Sequence, residues 1–291
     1  MVSLKQALMP SFPFFLAFTS TVNLQFEDAG IHLYWGQNVK EGTLMETCQC
    51  ESYRYVSLAS LTEFGCNRTP NDAKNVANYL WQFFLSGQHG LALDGVVFDI
   101  DGENTPNLYW DDLLRELSAF KEKKKLYFTA VPGCAIPDFH LDKAIKTRYF
   151  DFVAPKLYNN SVCEFDGSIY KLLRSWFKWT RYVPSNALAF MTITANPSDN
   201  GYIPPNILSQ GILPYIKLAP NYGGISVWNR YWDIHLDPSY SDQILPYVSK
   251  DVLRSVLEKS NLRSNHSHRQ QQHAGQLAVM TVINLIYFLN E

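Results

Sequence analysis

Charge of one sign is what this sequence has least of: 27 acidic side chains stand against 25 basic ones, a formal net charge of −2. The longest cationic run is Lys123-Lys124-Lys125 after Lys121. That is too little positive field for a nucleic-acid surface, so no nucleic-acid partner is expected. Cysteine is sparse, five in 291 residues, and an odd number leaves at least one without an intramolecular disulfide partner. No stretch reaches the ~18 consecutive apolar residues that span a bilayer as a helix, so no transmembrane span is expected. Phosphate-cradling glycine loops, zinc-type ligand spacing and a serine nucleophile elbow are all missing, and His32, His89, His140 and His235 stand isolated. No cofactor or metal is expected.

Apolar material is plentiful. Hydrophobic residues make up 46% and aromatics 14%, with 17 Tyr, 18 Phe and 7 Trp, which excludes disorder as a description of the whole chain. The ends differ from the body. Residues 1–29 read as a signal peptide, with Lys5 ahead of an apolar stretch that Pro10 and Pro13 interrupt. Residues 251–291 read as a polar then apolar C-terminal tail. Its run from Leu277 to Leu289 follows a polar spacer as in a lipid-anchor signal, but Asn290-Glu291 argue against one, and the tail is expected to lie outside the fold. Three tripeptides, beginning at Asn67, Asn159 and Asn265, fit the glycosylation acceptor pattern.

Between these ends, residues 30–250 alternate short β-rich runs with helical patterns. Strands are expected at 31–35, 53–60, 94–100, 125–132, 150–158, 187–194 and 223–228, and helices at 71–85, 110–123, 168–179 and 205–218. Strand then helix, repeated, implies parallel strands joined by right-handed crossovers. The class is therefore α/β, with a TIM-type (β/α)8 barrel ahead of an open doubly wound sheet. Seven strands are one too few. The gap falls before residue 94, where a single helix follows the second strand, so the third strand and an adjacent helix are missing.

The most informative stretch is Asp94-Gly95-Val96-Val97-Phe98-Asp99-Ile100-Asp101. Alternation along a strand puts Val97, Asp99 and Asp101 on one face and Val96, Phe98 and Ile100 on the other. Two carboxylates then line up at the C-terminal end of a strand, where barrel enzymes do their chemistry. Charges that close push one pKa up, as a general acid requires.

Here the chain resembles the plant class III chitinases of glycoside hydrolase family 18. The resemblance rests on Tyr34-Trp35-Gly36-Gln37-Asn38, Glu41-Gly42-Thr43-Leu44, Asp72-Ala73-Lys74-Asn75-Val76-Ala77, Leu108-Tyr109-Trp110-Asp111-Asp112-Leu113, Tyr158-Asn159-Asn160, Gly201-Tyr202-Ile203-Pro204-Pro205 and Tyr222-Gly223-Gly224 with Trp228. It implies a barrel that cleaves β-1,4-linked N-acetylglucosamine polymers by substrate-assisted catalysis, in which the substrate's acetamido oxygen attacks the anomeric carbon. The family motif Asp-x-x-Asp-x-Asp-x-Glu reads here Asp94, Val97, Asp99, Asp101. By resemblance Asp101 holds the place of the proton donor, Asp99 orients the acetamide, Tyr158 holds its carbonyl, and Trp228 forms the floor of the sugar site. Tyr34, Gln37 and Asp94 are further substrate-binding candidates, and Cys134 and Cys163 match a disulfide pair.

Three positions depart from the pattern. Asp101 is shorter than Glu by one carbon–carbon bond, ~1.5 Å, and a 1 Å misplacement can cost on the order of a hundredfold in rate. Val97 removes a carboxylate that shares a proton network with its neighbour. Lys156 replaces the family's Gln, and its ammonium would favour ionised carboxylates and work against a protonated acid. The expectation is a secreted or vacuolar monomer that binds chitin or chitooligosaccharides with weak or lost hydrolysis. The rivals are an active endochitinase and a non-enzymatic protein of the same fold, a storage protein or an inhibitor whose partner is a microbial glycosidase. A closed barrel that loses an inner strand exposes two edges, so the strands must repack or this chain is not the stable product.

Overall fold

The computed structural model describes residues 29–61, 69–100, 109–250 and 278–284. All seven expected strands form: β1 Gly30–Trp35, β2 Tyr55–Leu61, β3 Gly95–Asp99, β4 Tyr127–Ala130, β5 Phe152–Val153, β6 Leu188–Thr194 and β7 Tyr222–Trp228. They pair in parallel, and β1 pairs with β7 to close the sheet. Gly224 makes that closure possible. Its φ is +139°, and a Cβ there would lie 1.9 Å from the Gly30 carbonyl oxygen, so any larger residue would wedge the two strands apart.

The eighth position is filled by the segment expected to lie outside the fold. Residues Ala278–Asn284 form a strand, β8, inserted between β2 and β3 and parallel to both, giving the closed order β1-β2-β8-β3-β4-β5-β6-β7. Among the described residues no strand follows β2 before β3 in sequence, as the spacing predicts. The physical reason for the correction is the vacancy itself: two unpaired edges attract an extended segment, and Ala-Val-Met-Thr-Val-Ile-Asn is rich in β-branched residues. Part of the expected fifth strand is lost for a local reason. Pro155 has no N–H to give the ladder, so regular pairing ends at Val153 and resumes only as an isolated bridge between Lys156 and Thr192.

The helices follow the expected pattern with wider turns. Pro70–Leu80 is capped by Thr69 and Asp72, each binding the other's backbone N–H, and continues as a widened i→i+5 turn over Trp81–Leu85. Trp110–Ser118 buries Trp110, Leu113, Leu114 and Leu117. Tyr170–Tyr182 buries Leu172, Trp176 and Trp179. Short helices at Leu44–Gln49, Asp142–Lys146, Arg230–Asp233 and Tyr240–Val248 escape sequence reading because their periodic stretches are too brief. No helix among the described residues is long and apolar enough to cross a membrane. The lysine run turns inward to the fold: Lys124 Nζ donates to the carbonyls of Leu85, Ala92 and Leu93, pinning the chain that leads into β3.

Strand alternation divides the core in two. Ile31, Leu33, Val56, Val96, Phe98, Phe128, Met191, Ile193, Ile225 and Val227 pack between barrel and helices. Tyr34, Tyr55, Val97, Phe152, Leu188 and Phe190 fill the barrel interior. Among them lies one polar cluster. His32 is enclosed with Nε2 2.6 Å from Ser57 Oγ and Nδ1 2.9 Å from Ser226 Oγ, tying β1 to both neighbours.

Burial lowers the His32 pKa from 6.5 to about 3. The folded protein then binds fewer protons than the unfolded chain across that window, so stability is complete above pH 6.5 and is lost as pH falls toward 3. At 1.36 kcal/mol per pKa unit the loss approaches about 4–5 kcal/mol. Calorimetry between pH 7 and 3 should show a falling midpoint, and His32→Leu should flatten that fall relative to the unsubstituted protein.

Candidate active site at the barrel mouth

The C-terminal ends of the strands carry the mouth of the barrel. Asp99 ends β3 with only 4% of its surface exposed. Opposite it, Lys156 follows β5 and is held against β6 by the Leu157 N–H donating to Thr192 O and the Thr192 N–H to Pro155 O. Its ammonium donates to Asp99 Oδ1 at 2.9 Å, with the two side chains 16% and 5% exposed. A charge pair this enclosed is far less screened by solvent than a surface bridge, so the ammonium reaches the site with much of its field intact.

Two residues beyond Lys156, Tyr158 is half-buried and fixed by its neighbours. Asn159 takes φ +51° and donates its N–H to Asn200 O, which brings the 199–201 turn against the tyrosine. Gly201, at φ +84°, must be glycine: a Cβ there would meet Tyr158 Cα at 3.1 Å and Glu164 Cβ at 2.9 Å. Trp228 ends β7, in register with Thr194 of β6, and is half-buried with its indole edge-on to Tyr34 at 5.1 Å. One network went unread in the sequence. Thr194 donates to Asp199 Oδ2 at 2.6 Å and Asn196 Nδ2 to Oδ1 at 2.8 Å, bracing the loop after β6 at the same end. Its only sequence signal is Asn196-Pro197-Ser198-Asp199, a turn composition.

The structure thus brings Asp99, Tyr158 and Trp228 to one end of the barrel. It treats the other candidates differently. Tyr34 is fully buried, with its ring between those of Trp228 and His32. Gln37 is exposed in the loop after β1, whose shape is set by Glu41 accepting the Gly36 and Asn38 N–H groups. Asp94 stands before β3 at its other end, 3.7 Å from Lys124, and five strand residues at ~3.3 Å each keep it roughly 16 Å from Asp99. The structure does not bring Asp94 to the mouth. Val97 is fully buried in the apolar interior. Asp101 lies outside the described residues.

Cys134 and Cys163 are bridged, with Cα atoms 6.3 Å apart, joining the loops that follow β4 and β5. Among the described residues Cys48 and Cys50 form no disulfide; Cys66 lies outside them. Buried Trp179 donates to the Cys134 carbonyl, so the bridge is seated on the helix beneath it.

A closed parallel barrel with a carboxylate, a tyrosine and a tryptophan at the C-terminal ends of its strands is the framework of a glycoside hydrolase family 18 protein. Comparison with known proteins agrees. An acidic endochitinase of Vitis vinifera is 37% identical over 265 residues, covering 70% of this chain and 87% of that protein. The crystal structure of ICChI chitinase from Ipomoea carnea superposes with a TM-score of 0.69 at 30% identity, over 76% of this chain and all of that one. The xylanase-α-amylase inhibitor protein XAIP-I, crystallised with trehalose, gives 0.69 at 26% identity over 75% and 98% of the two chains. No protein-family model matches the chain. The chain belongs to the acidic endochitinase family.

The disulfide closes a loop of 29 residues between two mouth segments. Loop-closure entropy makes such a bridge worth about 3–4 kcal/mol. Replacing Cys134 and Cys163 together by alanine should lower the unfolding free energy by about that amount, read from urea unfolding with midpoint and slope fitted separately, because the freed unfolded chain exposes more surface.

Proposed function

We propose that this protein binds chitin or β-1,4-linked N-acetylglucosamine oligomers in the barrel mouth and hydrolyses them slowly or not at all. The Lys156–Asp99 ion pair carries this reading. By family resemblance, the carboxylate at Asp99 orients the acetamide and stabilises the positive intermediate that its attack creates. An ammonium on Oδ1 competes for both tasks. At roughly 4 Å and an effective dielectric constant near 20, one positive charge raises the energy of another by about 4 kcal/mol, which is on the order of a thousandfold in rate.

The other departures act in the same direction. Val97 lies in the interior cluster with Tyr55, Phe152 and Phe190, and its own side chain has no proton to exchange with Asp99. Asp101 is too short by one carbon–carbon bond for the donor's place. Trp228 with Tyr158 retains the means to hold a sugar: an aromatic face for its C–H face and a phenol for its amide. The protein is exported as a monomer, with residues 1–29 removed, and the vacuole is the alternative destination.

A second reading, a non-enzymatic inhibitor of a microbial glycosidase, draws on one surface feature and one likeness. Val39, Phe139 and Val162, on the loops after β1, β4 and β5, are 101%, 64% and 74% exposed at the mouth end. Apolar side chains grouped at one end suit a protein partner, and XAIP-I is named as an inhibitor of xylanase and α-amylase.

Thermal unfolding with chitotetraose tests the first reading. Binding to the native state should raise the midpoint in a concentration-dependent way. The triple variant Val97→Asp, Asp101→Glu, Lys156→Gln should release reducing ends from chitotetraose at least about a hundredfold faster than the unsubstituted chain. A midpoint that stays flat at millimolar chitotetraose, with inhibition of a xylanase or α-amylase at micromolar protein, would replace the first reading with the second.

A further inference from the structure

Of the glycosylation acceptor tripeptides in the sequence, those at Asn67 and Asn265 lie outside the described residues, and Asn159-Asn160-Ser161 lies in the segment after β5 at the barrel mouth. All three of its residues are exposed. The segment is firmly held: Asn160 O accepts the N–H groups of Cys163 at 3.1 Å and Glu164 at 2.9 Å, and Cys163 is bridged to Cys134. Its two asparagines divide the work. Asn160 Oδ1 accepts the Val162 N–H at 3.1 Å and so shapes the turn, whereas the side chains of Asn159 and Ser161 have no hydrogen-bond partner among the described residues. Asn159 is engaged through its backbone, its N–H donating to Asn200 O at 2.9 Å.

We propose that Asn159 is an N-glycosylation site and that its glycan covers the Tyr158 side of the mouth. The proposal rests on the export and sugar-binding readings above and adds to them a control on access. The acceptor chemistry balances. The carboxamide nitrogen of Asn159 attacks the anomeric carbon of a lipid-diphosphate-linked oligosaccharide, a C–N bond replaces the C–O bond to phosphate, and the amide proton leaves with the lipid diphosphate. Ser161, two residues on, supplies the hydroxyl that completes the acceptor. A bulky, hydrated glycan suits the folded protein only where the asparagine side chain meets water and holds nothing together. Asn159 meets both conditions. It stands one residue from Tyr158 and three from Val162, which is 74% exposed. A glycan there lies beside the phenol that the sugar reading assigns to the ligand's amide, and beside part of the apolar group that suits a protein partner.

The full-length chain, produced in a secreting eukaryotic cell once with its own N-terminus leading and once behind a host signal peptide, tests this. Peptide mapping before and after enzymatic deglycosylation, which leaves an aspartate at the attachment residue, should find a glycan at 159 in both products. Ser161→Ala, which keeps the asparagine but breaks the acceptor, should carry none there. That variant should bind chitotetraose about tenfold more tightly than the glycosylated protein, the worth of about one hydrogen-bonding group uncovered. Enzymatic deglycosylation of the unsubstituted protein should reproduce the gain.

An unmodified residue 159 behind the host signal peptide would overturn the site. A glycan behind the host signal but none behind the chain's own N-terminus, with the protein kept inside the cell, would overturn the export reading alone: the acceptor is competent and never meets the transfer enzyme. Equal chitotetraose binding with and without the glycan would overturn the cover over the mouth. If neither form binds chitotetraose, the sugar reading fails and the cover falls with it, while the peptide masses, which need no ligand, still decide the site.

Discussion

A parallel sheet bent into a barrel has no tolerance for a missing member, because each inner strand needs a hydrogen-bonded neighbour on both sides and its crossover helices cover only the outer face. Everything at the mouth depends on that closure. The end of β3 carries Asp99, and β3 is held by β4 on one side and by the imported β8 on the other. The wall that would sit next to Asp99 in an uninterrupted family chain is here rebuilt from a segment that joins after all the other strands have been laid down in sequence. Closure at the opposite seam has its own condition, the bare backbone of Gly224 against Gly30.

The interior responds to the same constraint. With a carboxylate replaced by Val97, the space inside the barrel is filled by Tyr55, Phe152 and Phe190 packed edge-on and tilted at 5.0–5.8 Å. Polar character is concentrated in two places. One is the His32–Ser57–Ser226 cluster, kept neutral by burial. The other is the enclosed charged pair at Asp99 and Lys156.

Much of this was legible in the sequence because strand alternation and helix periodicity are local properties. The seven sequential strands, the missing third strand, the opposite facing of Val96 and Val97, the inward placement of Asp99 and the Cys134–Cys163 bridge all follow from local pattern or family resemblance. The occupant of the gap does not. Ala278–Asn284 looks like any short apolar run, and only the three-dimensional vacancy between β2 and β3 distinguishes a barrel strand from a tail. The depth of Tyr34 and the position of Asp94 were hidden for a related reason. Both stand in family-like motifs, but one lies beneath a tryptophan and the other at the wrong end of its strand, facts of depth and direction that a motif does not encode. The Thr194–Asp199 brace was hidden in an ordinary turn composition.

The position of β8 also bears on how the molecule comes into being. Ribosomes add about 5–20 residues per second, so the interval between completing β3 at Asp99 and completing β8 at Asn284 is on the order of ten to forty seconds. Through that time β2 and β3 each lack a neighbour on one side and present a row of open backbone groups there. The last described strand to be synthesised is the one that removes both edges at once, so the barrel cannot close before Asn284 has been made.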